Sequence, residues 1–576
     1  MMRGMDRIIR ALLDAFARDS GIETLSEDKQ FERFANYCVV GTGGTDETFD
    51  VEDITVDGSE FGIDGLAIQV NGRIVTEPEE IEGLSDQNNY LEVDFIFVQS
   101  KTSENFATAP VELLGRAIKD FFSETPELTL SPFFEEARLI SNEIYERAPL
   151  FRRNPDVHAY MVTTGVWNEP APIVASMSAL RAELEATRNF GTVTFEAVDA
   201  GRLNELHRRT NERIETRFTF ARKATMPPEI PGIESAYVGV VDGTQFLKLV
   251  EDAEGRLRTS LFEDNVRDFL GENNTVNQEM GRTLDGDEIA RFPVLNNGVT
   301  VIARDVRTVG DDVIVSDYQI VNGCQTANVI HAHRDRALEG LWIPLKVVAT
   351  GDENLITEIV TATNSQTAVR PEELGSRSRF ERKLEQFFEA SDSEGRMLRY
   401  ERRARQYTHD PRVPAARVVT RRVLVRSYVS VCLDQPHRAT GYVPTLLRQM
   451  GADHFVEGDR AEPYYASAYA NYRLDNMFAG YRIDRRLKPA RWHLLMAFRH
   501  LVLGGEPMAA SNSREVARQS DRLMRALDND TRTREGFELA VRILDETLGE
   551  PVTRDVLRAE RSTIEVRDRV RVELAG

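Results

Sequence analysis

The chain has 576 residues, of which 41% are hydrophobic and 29% are charged, and its formal net charge is −22. This composition is typical of a folded globular protein and excludes a disordered or fibrous chain, while the length predicts about three or four domains. The negative charge argues against a protein that coats nucleic acid with a uniformly basic surface, although it is compatible with a local basic groove.

Helical and strand patterns alternate in the first 220 residues. Apolar spacing predicts helix over residues 1–38. A strand over 61–70 leads into Asn71-Gly72, a strong hairpin-turn pair, and a second strand covers 91–100. The later patterns are a helix at 108–122, a strand at 158–164, a helix at 173–188, a strand at 192–198 and a helix at 201–215. This order predicts an α/β domain over residues 1–220.

Three prolines between Met226 and Pro231 predict a domain boundary, because proline prevents regular structure there. Residues 230–370 again mix both patterns and predict a second α/β region, with strands at 236–241, 292–303, 313–321 and 342–349. From 371 to 576 the strand patterns fade, and we expect a basic segment followed by helices. The arginines of residues 377–426 either contact phosphate or pair with acidic side chains of the same surface.

The cysteines and the apolar runs of the sequence indicate the cellular compartment in which we expect the protein. Cys38, Cys324 and Cys432 are far apart in the sequence and give neither a disulfide framework nor a zinc pattern. The longest apolar run is interrupted by Arg426 and is shorter than the ~20 residues that span a bilayer. The first residues have the pattern of an amphipathic helix rather than a signal peptide. We therefore expect a reduced, cytoplasmic protein without a membrane partner.

An acidic residue and a Gln-x-Lys pair lie on two neighbouring predicted strands. Asp64 lies in Gly62-Ile-Asp-Gly65, and Gln99 and Lys101 are two residues apart, so their side chains share one face of an extended strand. If the strands pair, Asp64 meets that face. A carboxylate and a neutral oxygen can bind a divalent cation that polarises a phosphate, and a lysine can position water and offset developing charge. The pattern predicts an Mg²⁺ or Mn²⁺ site for phosphodiester hydrolysis.

These residues and the element order over residues 25–215 resemble the PD-(D/E)XK nuclease superfamily, in the Mrr-type variant with Gln at the second acidic position. The resemblance implies that Asp64 binds metal, that Gln99 contributes its amide or positions the adjacent carbonyl, and that Lys101 is the catalytic lysine. It also implies a glutamate on the preceding helix, which is expected at Glu32, with Glu27 as the second option. Alone, Gly-x-Asp-Gly is usually a turn; the hairpin turn, the following amphipathic helix and the upstream glutamate together favour the nuclease.

Two polar motifs interrupt the central strands. They are Asn296-Asn297-Gly298 and Asn322-Gly-Cys-Gln-Thr326. An Asn-Gly pair alone often forms a hairpin turn. The second motif is followed by helical spacing, so it predicts a strand, a glycine turn and a helix N-terminus, whose backbone N–H groups can receive an anion such as phosphate. Gln325 and Thr326 would then supply side-chain donors.

Five motifs in one order over residues 230–410 look like those of the AIPR family, named for abortive infection phage resistance. They are Leu261–Leu270, Asn296–Thr300, Ile320–Thr326, Ala362–Gln366 and Tyr400–Arg403. One departure is Cys324, where family members more often have Gly or Gln. The resemblance implies a role in phage defence, and AIPR proteins commonly have an N-terminal Mrr-like nuclease region.

The Asn322 turn is also similar to a motif of ParB/sulfiredoxin-like domains, some of which bind or hydrolyse nucleotides. This analogy implies a nucleotide or phosphate pocket, for which the candidate lining residues are Asn297, Asn322, Gln325, Thr326, Asn364 and Arg402, together with Gln366, Arg267 and Arg403.

The sequence is therefore interpreted as a two-function protein. An N-terminal PD-(D/E)XK-type domain with a mixed sheet would be a metal-dependent endonuclease, acting on DNA in preference to RNA. The central AIPR region would regulate it by sensing an NTP or a phage-derived trigger, and the helical remainder would support both. The alternative is a nucleotide-binding or NTP-hydrolysing sensor whose nuclease-like domain is weak or inactive. We also expect a homo-oligomer.

Overall fold

The structure is a computed structural model that describes residues 5–575 with internal gaps. The gaps are 43–47, 57–61, 89, 129–130, 211–214, 228, 253–254, 263–274, 286–288, 335–337, 339, 365–370, 395, 403–405, 408–409, 411, 441–442, 444–445, 448–453 and 550–551. Within the described ranges, the chain is mixed α/β up to about residue 350 and mainly helical beyond. None of the helices found in these ranges has the length and apolar character that a membrane crossing requires.

The N-terminal part contains one sheet and the helices around it. Its helices are α1 (Arg7–Ser20), α2 (Glu27–Thr42), α3 (Glu79–Asn88), α4 (Thr108–Phe121), α5 (Pro132–Glu146), α6 (Ala171–Ala186) and α7 (Ala200–Thr210). Its strands are β1 (Gly65–Val70), β2 (Arg73–Val75), β3 (Val93–Lys101), β4 (Asp156–Thr163) and β5 (Val193–Val198). The strand order is β2-β1-β3-β4-β5.

This first sheet is mixed because its connections differ. β1 pairs antiparallel with both β2 and β3, whereas β3, β4 and β5 are parallel and are joined through helices. The predicted hairpin is confirmed: Asn71 and Gly72 both have positive φ, 51° and 79°, as a two-residue type I′ turn requires.

Helices cover both faces of the sheet, which is why β3 is buried along almost its whole length. Phe95 and Phe97 pack in the cluster that contains Phe121 of α4. Ile96 and Val98 point to the opposite face and pack in the cluster that contains helices α1 and α2. Only the last residue of β3, Lys101, is exposed, so this end of the strand is where β3 reaches the protein surface.

The central part forms a second, six-stranded sheet in the order β6-β10-β9-β11-β8-β7. Its strands are β6 (Glu215–Thr219), β7 (Arg222–Thr225), β8 (Ser235–Asp242), β9 (Val299–Val309), β10 (Asp312–Asn322) and β11 (Trp342–Ala349). Its helices are α8 (Gly243–Val250), α9 (Thr275–Asp285), α10 (Phe292–Leu295), α11 (Cys324–Ala332) and α12 (Glu353–Asn364). Strand β6, which lies inside the segment 1–220, pairs with β10 of this sheet.

One predicted strand is wrong in its first half. Residues 292–303 were expected to be extended, but Phe292–Leu295 forms the helical turn α10 and the strand begins only at Val299. Pro293 occupies the first turn of that helix, where its missing N–H costs nothing. Gly298 has φ of +79° and changes the chain direction before β9.

The C-terminal part packs helices around one large apolar core. Its helices are α13 (Pro371–Ala390), α14 (Arg421–Cys432), α15 (Glu462–Ala479), α16 (Arg491–Leu503), α17 (Arg514–Asp528), α18 (Asp530–Leu548), α19 (Arg554–Arg558) and α20 (Glu560–Ala575). Two short strands, β12 (Arg399–Glu401) and β13 (Val418–Thr420), form a parallel ribbon beside them. The helical C-terminal region predicted from the sequence is thereby confirmed.

Candidate active site

Asp64 lies immediately before β1 and faces β3. Its N–H donates to the Val98 carbonyl over 2.8 Å, and the antiparallel register pairs Gly65 with Val98. Gln99 and Lys101 continue β3 beyond Val98, next to Asp64, and their two side chains share one face of that strand. The structure therefore brings the three predicted residues to one end of one sheet.

Two oxygen atoms in this group are buried without a donor. Asp64 and Gln99 are each 1% exposed. Asp64 Oδ2 accepts the Ser100 backbone N–H at 2.7 Å, with the Ser100 hydroxyl at 3.4 Å. Asp64 Oδ1 and Gln99 Oε1, however, have no hydrogen-bond partner within the described part of the chain. An unpaired buried acceptor costs about 1–3 kcal/mol, and both oxygens are of the kind that coordinates a divalent cation.

Glu32 enters the same neighbourhood from α2. Its side chain is buried, and Lys29 Nζ donates to Glu32 Oε2 at 2.7 Å. Burial raises the pKa of Glu32; the Lys29 hydrogen bond opposes this rise and the nearby Asp64 charge adds to it. Burial likewise raises the pKa of Asp64, offset in part by the Ser100 N–H and by the charges of Lys101 and Lys29. Glu32 is thus close enough to Asp64 for the charge of Asp64 to act on it.

Lys101 is the solvent-facing member of the group. It ends β3 with an exposed side chain, and within the described residues it makes neither an ion pair nor a hydrogen bond through its ammonium. The next residue, Thr102, donates its hydroxyl to Asp28 Oδ1 at 2.6 Å, which ties the end of β3 to the start of α2. The ammonium is thus placed beside the carboxylates while it remains able to contact an incoming phosphate.

The two glycines around Asp64 are required sterically. Gly62 has φ of +70°, and a Cβ there would lie 2.7 Å from Gln99 Nε2. A Cβ on Gly65 would lie 2.1 Å from Asn36 Oδ1. The missing side chain at Gly65 lets Asn36 of α2 donate to the Asp64 carbonyl at 3.0 Å. Gly-x-Asp-Gly is therefore a packing requirement of this site as well as a bend.

Sequence reasoning missed three residues that hold the site: Asn36, Ser100 and Lys29. Ser100 acts mainly through its backbone N–H, which leaves no signal in a sequence. Asn36 and Glu32 are four residues apart on α2 and so share a face of that helix, as does Lys29 with Glu32 at three residues. That helical spacing, read outward from Glu32, is the signal that was available.

A second acidic cluster lies near the opposite end of β3. Ligand atoms of Asp94, Asp156 and His158 all lie within 4.8 Å of one another. Here, however, Arg256 lies 3.2 Å from Asp94 and Arg153 lies 3.1 Å from Asp156, and His158 Nε2 is 3.1 Å from Asp94 Oδ1. Each carboxylate already has a cationic partner, so this cluster is an ion-pair network rather than a candidate metal site.

The central motif folds as the sequence predicts. Asn322 ends β10, Gly323 has φ of +107°, and α11 begins at Cys324. A Cβ on Gly323 would lie 2.6 Å from a methyl group of Val299, so only glycine fits the turn. Asn322 Nδ2 donates to the Thr363 carbonyl at 3.4 Å. The strand, glycine turn and helix are therefore present, while a bound nucleotide there stays a prediction.

The other residues predicted for a nucleotide pocket differ in their solvent exposure and in their partners. Gln325 is half-buried and Thr326 is buried on α11, whereas Asn297 is exposed. Arg402 is buried and its Nε donates to Glu385 at 3.2 Å. The Asn364 side chain, Gln366, Arg267 and Arg403 lie outside the described residues.

Several arginines of the basic segment 377–426 pair with carboxylates. The pairs include Arg396–Asp528, Arg399–Asp392, Arg402–Glu385, Arg421–Glu381 and Arg422–Glu80. For these residues the structure favours the second of the two sequence interpretations, in which the arginines pair with acidic side chains of the protein itself.

The fold and the site define a multi-part α/β protein with a candidate cation site on its first sheet and a helical C-terminal part. The family model described as AIPR protein matches residues 262–501. The AIPR resemblance of the sequence motifs is thereby confirmed over that segment, which is less than half of the 576 residues. No curated protein and no solved structure matches the chain. The sheet that contains Asp64 lies before the matched segment.

Proposed function

We propose that the chain is a metal-dependent nuclease, whose N-terminal sheet is of the PD-(D/E)XK type. The observation that carries this proposal is the pair of buried oxygens, Asp64 Oδ1 and Gln99 Oε1, which lie at the same end of the sheet and lack donors among the described residues. Their chemistry matches the oxygen ligands that Mg²⁺ and Mn²⁺ prefer. Lys101, at the exposed end of the same face, is where a phosphate would arrive.

Each residue has a role that follows from its charge. Asp64 and Gln99 would hold the cation, and Glu32 would add the second negative charge that a neutral glutamine does not supply. A bound Mg²⁺ or Mn²⁺ supplies polarisation of the phosphodiester and a more acidic water. The Lys101 ammonium offsets the negative charge that develops on the phosphate and orients the attacking water. The Ser100 N–H and Asn36 keep Asp64 in place.

The biological setting that we propose is defence against phage by abortive infection. The support is the AIPR match over residues 262–501, together with the meaning of the family name. A nuclease that acts on nucleic acid without restraint would damage its own cell, so the AIPR region is the natural regulator. DNA is the substrate favoured over RNA, and an NTP or a phage-derived molecule is the kind of signal that the Asn322 turn would receive.

The test is cleavage of plasmid DNA and of RNA by the full chain with Mg²⁺ or Mn²⁺, for the wild type and for Asp64→Asn. We expect metal-dependent cleavage that Asp64→Asn abolishes. The matched control is Asp94→Asn, the same substitution in the arginine-paired cluster, which should still cleave. Cleavage that is equally strong in Asp64→Asn would refute the proposal, and an absence of cleavage on both substrates would favour the sensor alternative.

A further inference from the structure

A short segment, residues 50–56, lies beside the strand end that carries Asp64. The Val56 N–H donates to the Asp64 carbonyl at 3.1 Å, and the Leu66 N–H donates to the Ile54 carbonyl at 2.9 Å. The segment therefore extends the pairing of β1 around Asp64. Any displacement of residues 50–56 would be transmitted to the Asp64 backbone through these hydrogen bonds.

Three basic side chains of the C-terminal part contact this segment from its other side. The Arg485 guanidinium contacts the Glu52 carboxylate. Lys488 Nζ donates to the Glu52 carbonyl at 2.6 Å and to Asp53 Oδ1 at 3.1 Å, and Arg491 donates to the same Asp53 oxygen at 3.1 Å. We call Arg485, Lys488 and Arg491 the basic triad. Burial alone would raise the pKa of Asp53, but Lys488 and Arg491 hold it below its usual range.

Glu52 also connects the triad to the helix that carries Glu32. Arg33 is fully buried, follows Glu32 directly on α2, and donates to both Glu52 oxygens at 2.5 and 3.1 Å. Burial of Glu52 disfavours its charge, yet Arg33 and Arg485 together lower its pKa below the usual value. The Glu52 carboxylate thus bridges a guanidinium on α2 and a guanidinium of the C-terminal part.

We propose that the basic triad positions the Asp64 site from the C-terminal part of the chain. The triad acts on Asp64 through residues 50–56, and on Glu32 through the Glu52 bridge to α2. This inference rests on the proposed function, because it concerns the same cation site. It assigns the C-terminal part to the active unit, and since the triad lies within the segment matched to AIPR proteins, it also supplies a physical route from that segment to the site.

A second contact of the same chemistry supplies a matched control. The Arg554 guanidinium contacts Glu77, Glu79 and Glu136, and its side chain is buried as deeply as that of Arg485. Glu79 begins α3, Glu77 lies just before it, and Glu136 lies in α5, so these carboxylates are outside the segment beside Asp64. Neutralising Arg554 therefore weakens the contact between the two parts while it leaves residues 50–56 in place.

The first measurement is amide hydrogen exchange in the full chain for Arg485→Gln and Arg554→Gln. We expect faster exchange at Val56 and Leu66 in Arg485→Gln only, because only that change removes a contact to residues 50–56. Equal exchange at these two amides in both variants would overturn the positioning role. If Arg485→Gln does not fold, Lys488→Gln replaces it, since Lys488 bonds to the same segment.

The second measurement is Mn²⁺ binding by calorimetry, with Mn²⁺ alone as the probe. We expect Arg485→Gln to weaken Asp64-dependent binding roughly tenfold or more, as for loss of other groups that orient metal ligands, and Arg554→Gln to retain wild-type affinity. Arg485→Lys should restore most of the affinity. If Arg485→Gln binds Mn²⁺ as tightly as the wild type does, the positioning role is refuted and the proposed function is not. If the wild type shows no Asp64-dependent Mn²⁺ binding, the proposed function itself is refuted.

Discussion

The first sheet contains two acidic clusters, one near each end of β3, and they differ in how their oxygens are satisfied. At Asp94 and Asp156, each carboxylate faces an arginine. At Asp64 and Gln99, two buried oxygens lack a donor among the described residues, and the charges that act on Asp64 are those of Lys101 and Lys29. The first arrangement is complete as it stands, whereas the second leaves two buried acceptors unsatisfied within the described residues.

This contrast shows that a cluster of acidic side chains does not by itself indicate a metal site. The cluster of Asp94, Asp156 and His158, with its ligand atoms within 4.8 Å of one another, is the one whose charges are already compensated. Unfilled hydrogen-bonding capacity in a buried oxygen is the more informative feature, because the folded chain has already excluded water from it.

The largest expected effect tests what the exposed end of the Asp64 site does. Lys101→Ala should lower the rate of cleavage by about 100- to 1,000-fold, the usual cost of removing one group that stabilises developing charge. Mn²⁺ binding should survive, because Lys101 is not a ligand. The control is Lys119→Ala, which removes a surface lysine paired with Glu183. A loss of metal binding together with activity would show that Lys101 acts on the cation instead.

The second prediction is that one substitution has opposite effects at the two clusters. In the metal-free protein near pH 7, Asp94→Asn should destabilise the fold by about 2 kcal/mol, because it weakens hydrogen bonds between charged groups. Asp64→Asn should instead raise the melting temperature, because it removes a charge that burial disfavours and keeps an acceptor for the Ser100 N–H. Thermal unfolding of both variants measures this.

The sign of the Asp64→Asn effect is the decisive outcome of that experiment. Destabilisation by both substitutions would mean that the two carboxylates are equally well compensated, and the distinction between the clusters would then fail. Added Mn²⁺ should reverse the order, stabilising the wild type but not Asp64→Asn, because a ligand stabilises only the state that binds it.

The smallest expected effect is a pH dependence. Burial raises the pKa of Asp64 and Glu32, so the folded chain holds these protons more tightly than the unfolded chain does. Their contribution to stability is therefore present at low pH and is lost as the pH rises from about 4 through the folded-state pKa values. In metal-free thermal melts across this range, the melting temperature of Asp64→Asn should rise relative to that of the wild type as the pH rises. A difference in melting temperature that does not change with pH would contradict the raised pKa of Asp64.

Local patterns predicted much of the fold. The Asn71-Gly72 hairpin, strand β3 and the helical C-terminal part follow from turn chemistry and apolar periodicity. The first half of the strand expected at 292–303 failed because Pro293 begins a helical turn. Helices α3 and α5 were not predicted from the sequence. Helix α3 is rich in acidic residues, and the charge of its buried Glu80 is compensated by Arg422. No local pattern reveals this partner, because it is far away in the sequence.

For the candidate site, the sequence predicted which side chains take part but not the contacts that hold them in place. The spacing of Gln99 and Lys101 determines a shared face, and the strand pairing then brings Asp64 to it. The requirement for Gly65 could not be predicted, because it depends on the approach of Asn36 from another element. Contacts between the N-terminal sheet and the basic triad are equally invisible in sequence, since they join residues more than 400 positions apart.

The contacts between the acidic residues of the N-terminal part and the basic residues of the C-terminal part also bear on the order in which the chain can fold. Residues 50–56 and the glutamates around Glu79 are synthesised long before Arg485 and Arg554. Until then Asp53 and Glu79 lack these basic partners, whereas Glu52 can already pair with Arg33. The full set of contacts to residues 50–56 can therefore form only after Arg485, Lys488 and Arg491 have been synthesised.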